Sequence, residues 1–326
     1  MHHAAALNFL PMKRFKWIGI VLAGLVALSV VRDFVIKAVL TTVASNVLGT
    51  PVRMSGFSLG LVNQSIRIRG LKIHNPRGFP SGTMVDIPSV YVRWRPMDLL
   101  SGKLHLSEVE FELKELVLVK NKEGKSNIDS LNVAQGEKKK EAEKPAKEMG
   151  LQIDLLHLNM GKVVQRDYTV GDTPSILVYE IGIKKTYKNI KSPQQLAALI
   201  LAEPMKSAGI KGAAIYGAAA LTGVGFIPVV AGSVLLGKDS TEGEFQGGYD
   251  RVYETVLAVL KKAGTIKKED RTSGVITADL PEAGVRAVLE RAPGGKIKVT
   301  VSARKMMLPK PEVAGGVLYQ ITQRLK

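Results

Sequence analysis

The chain contains no cysteine, which excludes disulfide scaffolds, zinc–cysteine sites and thiol catalysis. It leaves the compartment open, because oxidising spaces also tolerate thiol-free proteins. Histidine is scarce, with five residues, two of them at positions 2 and 3. His74, His105 and His157 each stand without a second histidine four residues on or a carboxylate at zinc spacing, so they read as surface or turn residues. No metal or cofactor is expected. Acidic residues are in deficit, 29 against 46 Lys plus Arg, for a formal charge of +17. That balance calls for an anionic partner, either phospholipid headgroups or nucleic acid. The cations are spread over the whole chain with no aromatic-interleaved groove and no reader motif, so nucleic acid is not expected and lipid is preferred.

What is present in quantity is apolar sequence. Hydrophobic residues make up 45% of 326 positions, which excludes a wholly disordered chain and suits one large or two modest domains. Trp17–Val31 is a run of fifteen residues without a charge. With its flanks it gives a transmembrane anchor over 15–36, carried by Trp17, Ile20, Leu22, Leu25 and Leu28. Lys13, Arg14 and Lys16 precede it, so residues 1–14 stay in the cytoplasm and the bulk of the chain crosses. Ala27-Leu28-Ser29 also resembles a signal-peptide cleavage site. The helical spacing of Phe34, Val35, Ala38, Val39, Val43 and Val47 continues to Gly49, however, and favours an uncleaved anchor running into an amphipathic helix.

Residues 37–131 change to period two. Ser65–Arg69, Val90–Arg95 and Val109–Lys114 alternate apolar with charged residues, and Leu104–Ser107 runs into the last of these. The spacing predicts an antiparallel sheet wetted on one face. Residues 132–150, rich in Lys and Glu, read as a charged flexible linker. Strands Leu151–Leu155, Leu156–Met160, Val163–Tyr168 and Ser175–Lys185 resume over 151–192. The order strand, Gly-Lys, strand, charged turn echoes Leu106–Lys122 as a weak internal repeat. Residues 193–238 form a helical, Gly/Ala-rich apolar segment opened by a helix over Gln194–Ala202. Its uncharged stretch 212–237 reads in three ways: a second membrane span, a helix packing on its own copies through Ala213, Gly217 and Ala220, or a hairpin broken at Gly223–Pro228. Residues 239–326 form a small α+β domain, with helices over Tyr249–Leu260 and from Pro311, and strands Gly274–Leu280, Val285–Arg291 and Lys296–Ala303.

Two motifs suggest chemistry and fail on context. Gly56–Gly60 matches the G-x-S-x-G serine elbow, but a strand follows where the elbow needs a helix. Gly232–Lys238 approaches a P-loop, but Asp239 stands where magnesium needs a hydroxyl. Asn63-Gln64-Ser65 is a glycosylation sequon relevant only in a eukaryotic secretory setting. Glu108, Glu110 and Glu112 share the solvent face of one strand. No enzyme is expected.

The order of the remaining motifs resembles the AsmA-like proteins of bacterial envelopes. The resemblance rests on Leu48-Gly49-Thr50-Pro51-Val52-Arg53, then Ile66–Phe79 with its Asn75-Pro76-Arg77-Gly78, then Leu99–Leu106 and Asn127–Leu131, and covers about residues 15–190. It implies an inner-membrane protein whose bulk faces the periplasm, with a curved sheet whose apolar surface binds or helps move phospholipid or supports outer-membrane biogenesis. The fold expected is therefore α+β: a transmembrane helix, a curved antiparallel AsmA-like sheet, the Gly/Ala-rich helical segment and the small C-terminal domain. With room for seven or eight strands the chain is too short to bridge an envelope unaided, so several copies or an envelope partner are implied. Ile66, Ile68, Val90, Val92, Trp94, Val109, Phe111 and Leu113 lie on the dry face and suit an acyl chain. The competing reading of that face is ordinary core, and the competing function is a homo-oligomeric scaffold without lipid transfer.

Overall fold

The computed structural model describes residues 31–46, 48–99, 101–131, 150–210, 225–227 and 240–326. The anchor residues Trp17, Ile20, Leu22, Leu25 and Leu28, the linker 132–149, the P-loop-like 232–239 and the packing candidates Ala213, Gly217 and Ala220 lie outside these. Among the described residues no helix is long and apolar enough to cross a membrane.

The described residues open with helix α1 (31–46). It stops where the sequence places a stop: Gly49 takes φ +72, and its N–H donates to the Ser45 carbonyl at 2.9 Å. Eight strands follow in the first sheet: β1 (Val52–Arg53), β2 (Gly56–Gly60), β3 (Ser65–His74), β4 (Thr83–Trp94), β5 (Lys103–Lys120), β6 (Gly150–Asp167), β7 (Ser175–Ile190) and β8 (Gly225–Ile227). Their order is β1-β3-β4-β5-β6-β7-β8, with β2 also on β3. A short helix α2 (Pro96–Leu99) joins β4 to β5, and α3 (Pro193–Ser207) follows β7. Ser192 caps α3, its side chain accepting from the Gln195 N–H. The G-x-S-x-G residues are strand β2, with no helix after them.

Three sequence expectations need correction. The sheet is not wholly antiparallel, because β5 and β6 run parallel in register from Lys103↔Gly150 to Lys120↔Asp167. The two halves of the weak repeat are thus equal strands lying side by side. Residues 150–167 are one strand where three were expected, and β6 begins at Gly150, the last residue assigned to the linker. Within 193–238, expected to be helical, Gly225–Ile227 is a strand on β7, at the place where one of the three readings breaks the segment.

The merging has a physical cause visible in the burial pattern. Strict alternation would turn the apolar side chains of an 18-residue strand steadily to one face. Here inward-facing positions step by three at one level: Ile68 to Leu71, Ile87 to Val90, Leu113 to Leu116 and Met160 to Val163, all in one apolar cluster. The extra residue occurs in all four strands, so the pairing skips a level without slipping, as Leu113↔Met160 is followed by Glu115↔Lys162. A second break lies seven residues away on β5 and β6, at Leu106 to Val109 and Ile153 to Leu156, with Tyr187 to Ile190 beside them on β7. Gly70 (φ +56), Gly182 (φ +47) and Asn189 (φ +59) take the backbone at these breaks. At Gly161 a Cβ would meet the Lys114 carbonyl oxygen at 2.6 Å. Irregularities of this kind bend and twist strands locally.

The C-terminal unit holds β9 (Ser240–Gln246), α4 (Tyr249–Ala263), β10 (Thr265–Asp270), β11 (Val275–Asp279), β12 (Gly284–Ala292), β13 (Lys296–Lys305), β14 (Leu308–Pro309) and α5 (Pro311–Leu325). Its antiparallel sheet packs on the apolar stripes of α4 and α5, with Val252, Val256, Leu260, Val317 and Ile321 buried against Val285, Val299 and Val301. The unit sits on the outer face of the first sheet. Val117, Val119, Val164 and Val178 are buried there with Phe79, Tyr168 and Tyr319 against them. The Tyr319 hydroxyl donates to Glu115 at 2.9 Å and accepts from Arg166 at 3.1 Å. Burial, reinforced by Glu115, raises the phenol pKa. Gly316 makes this contact possible, because a Cβ there would lie 1.8 Å from the Ile176 carbonyl oxygen.

Gly316→Val should therefore lift α5 from β7. We expect a loss of about 1–3 kcal/mol in urea unfolding and faster amide exchange at Ile176–Val178, while α4 stays protected. An unchanged midpoint with unchanged exchange would mean that α5 is not seated as described.

Candidate functional site

The face of the first sheet opposite the C-terminal unit gathers the residues that the sequence assigns to lipid. Val90, Val92, Val109, Phe111 and Leu113 are all buried, none more than 8% exposed. Ile66 and Ile68 are half-buried and pack on the same cluster. Trp94 stands at the end of the face, paired with Leu106 and half-buried, its indole N–H without a hydrogen-bond partner. Cross-strand register brings the set together: Ile66↔Val92, Ile68↔Val90, Val90↔Phe111 and Val92↔Val109. The two phase breaks keep this face apolar along all 18 residues of β5 and β6, a length of about 60 Å at ~3.3 Å per residue.

Helix α3 packs on the face. Leu199, Leu201 and Met205 are buried in the cluster, and Leu196 and Ile200 lie against it. At the far end Ile128 and Leu131, from the turn after β5, are buried in the same cluster. The described residues of the face are buried to the level of core, and α3, a helix of 15 residues, covers the part of it over β6 and β7. Its polar feature is an ion pair. Lys185, paired in register with Leu158, points from β7 into the apolar surface and meets Glu203 of α3. Glu203 is 7% exposed. Tyr187 lies nearby, and burial, with Glu203 beside it, lifts its phenol far above the usual range. A carboxylate on the buried side of α3 is costly unless paired, so this contact fixes how α3 lies.

The outer face below the first break is polar, as alternation requires. Glu110 and Glu112 are exposed there, and Arg67 stacks over Tyr91 at 5.7 Å. The histidines that look isolated in sequence are not isolated in space. His105 lies between Asp98 of α2 (2.6 Å) and Asp154 of β6 (2.8 Å). His157 lies between Thr186 (2.9 Å) and Glu108 (3.4 Å). Burial acts to raise the Asp154 pKa, but hydrogen bonds from Gln152 and His105 and the charge of Arg95 outweigh it, and the carboxyl ends below its ordinary value. Its contribution to stability is present above the unfolded value and lost as pH falls through the folded one. Among the described residues no group of three His, Asp or Glu could hold a metal ion.

Parallel pairing across 47 positions hides the His105–Asp154 contact from a sequence reading, and only the distance between Lys185 and Glu203 hides the ion pair. The docking of the C-terminal unit did carry a signal. Leu116-Val117-Leu118-Val119 and Val163-Val164 are apolar on both faces, the mark of a strand covered on both sides.

The model for the AsmA family matches residues 17–223. That is more than half of the chain, and the chain belongs to the AsmA family, which associates it with the cell envelope. No curated protein matches it. The match contains β1 to β7, α3 and the Lys185–Glu203 pair, and ends before β8 and the C-terminal unit.

The ion pair gives a double-mutant test. Lys185→Met and Glu203→Leu should each cost about 1.5–3 kcal/mol, and the double variant clearly less than their sum, since removing both charges leaves none buried without its counterpart. Strictly additive losses in urea unfolding would show that the two side chains do not act as a pair.

Proposed function

We propose that the protein handles phospholipid at the bacterial inner membrane. An N-terminal anchor holds the chain with its first residues in the cytoplasm, the folded body stands in the periplasm, and acyl chains take the inner face of the sheet when α3 lifts from it. The observation that carries the reading is the continuous apolar strip along β3 to β6, kept on one face by coordinated phase breaks. At about 60 Å it is twice the ~30 Å thickness of a bilayer's hydrocarbon core, so an acyl chain has ample room to lie along it. The basic surplus of +17 suits anionic headgroups. No catalytic role is proposed.

A second reading rests on the closure of the same face. With α3 in place its residues are buried to the level of ordinary core, which favours a homo-oligomeric or scaffold component of an envelope complex, with no lipid transferred. A photo-crosslinking residue at Phe111 or Val92, activated in intact membranes, separates the two. Lipid handling predicts phospholipid adducts by mass spectrometry, increased in Glu203→Leu, where α3 loses its pin. If neither position gives an adduct and no lipid co-purifies, the scaffold reading stands.

A further inference from the structure

One end of the first sheet gathers exposed apolar side chains from three elements. Leu61 and Val62, in the turn between β2 and β3, are 58% and 100% exposed, and Met97 of α2 is 75% exposed. They share this end because the backbone N–H of Trp94 donates to the Gln64 carbonyl at 3.1 Å, which places the β2–β3 turn beside the entry to α2. The start of α1 is fixed here as well. The Arg32 guanidinium donates to the Leu59 carbonyl at 2.8 Å while pairing with Asp33, and Phe34 and Val35 project outward at 70% and 53% exposure. Large apolar side chains exposed together are unusual on a soluble surface.

Cations are in surplus around this end. Arg95, Lys103 and Lys191 are exposed. The carboxylates are already engaged, Asp33 with Arg32 and Asp98 and Asp154 with His105. Residue 31 is also where the uncharged run from Trp17 arrives. The Arg32 contact ties the chain to the sheet at that point, so the bilayer would begin directly at this end. Trp94, at the same end of the inner face, carries the amphipathic ring suited to a membrane–water interface.

We propose that this end is a membrane seat: Leu61, Val62, Met97, Phe34 and Val35 enter the headgroup–acyl boundary of an anionic bilayer, with Arg95, Lys103 and Lys191 on its phosphates. The seat would set the end of the apolar face that carries Trp94 against the lipid surface. This rests on the anchored reading above, and the test separates the two. The absence of native cysteine allows single cysteines at Val62, Met97, Leu25 and, as a far-end control, Val170, which is 97% exposed in the β6–β7 turn. Each full-length variant is labelled with an environment-sensitive fluorophore in vesicles of phosphatidylcholine with phosphatidylglycerol. Brominated acyl chains should quench labels at 62 and 97 and spare 170, aqueous iodide should do the reverse, and high salt should weaken the bromolipid quenching at 62 and 97. A buried label at 25 with labels at 62 and 97 as open to iodide as 170 would overturn the seat and leave the anchor. A label at 25 outside the bilayer would overturn both. Protection at 62 and 97 from both quenchers would overturn the seat in favour of a protein neighbour.

Discussion

An apolar sheet face must be covered, and the length of this one sets the terms for the rest of the molecule. Strands of 18 residues twist as they run, and the break shared by β3, β4, β5 and β6, with Gly70 and Gly161 at it, lets those strands change phase together, while β7 meets it through a register shift. A break in one strand alone would have carried its remaining apolar residues to the wrong face. Because the breaks are shared, Val109, Phe111, Leu113, Leu116 and Leu118 all face the same side across a change of parity. Fully burying each such side chain contributes about 1.5–3 kcal/mol, so the coordination decides whether the sheet has one dry face or two halves of opposite sense.

The phase change also explains why the two ends of the sheet have different exteriors. Below the break the outer positions are Arg67, Glu108, Glu110 and Glu112, and water suffices. Above it they are Val117, Val119, Val164 and Val178, and α5 of the C-terminal unit covers them. The family region and the unit beyond it are therefore one packed body, joined by apolar contact and by the hydroxyl of Tyr319 between Glu115 and Arg166. On the inner side α3 plays the covering part, and Glu203 makes it a cover with a polar attachment to Lys185.

Much of this was legible in the residues. The helix stop at Gly49, the alternation around Ile66, Val90 and Val109, the helices at Tyr249 and Pro311 and the strands between them follow from local spacing and turn chemistry. The AsmA character follows from the ordered motifs up to Asn127–Leu131. The inner-face candidates do meet, because alternation in short windows is reliable. What local patterns could not give was anything set by partners distant in sequence. The parallel pairing of β5 and β6 looked like a repeat, their unbroken length looked like separate strands because the period changes at each break, and His105 looked solitary because Asp98 and Asp154 reach it through the fold.

If phospholipid is handled as proposed, α3 moves off the inner face of the sheet when lipid is present. Spin labels at Lys206 of α3 and Glu110 on the outer side of β5, both exposed, report it directly through a distance distribution in detergent and in phospholipid nanodiscs. The account predicts a single short distance without phospholipid and an added longer population with it. One unchanged distance at every lipid content, with α3 amides as protected as those of β5, would make the face permanent core and contradict the account.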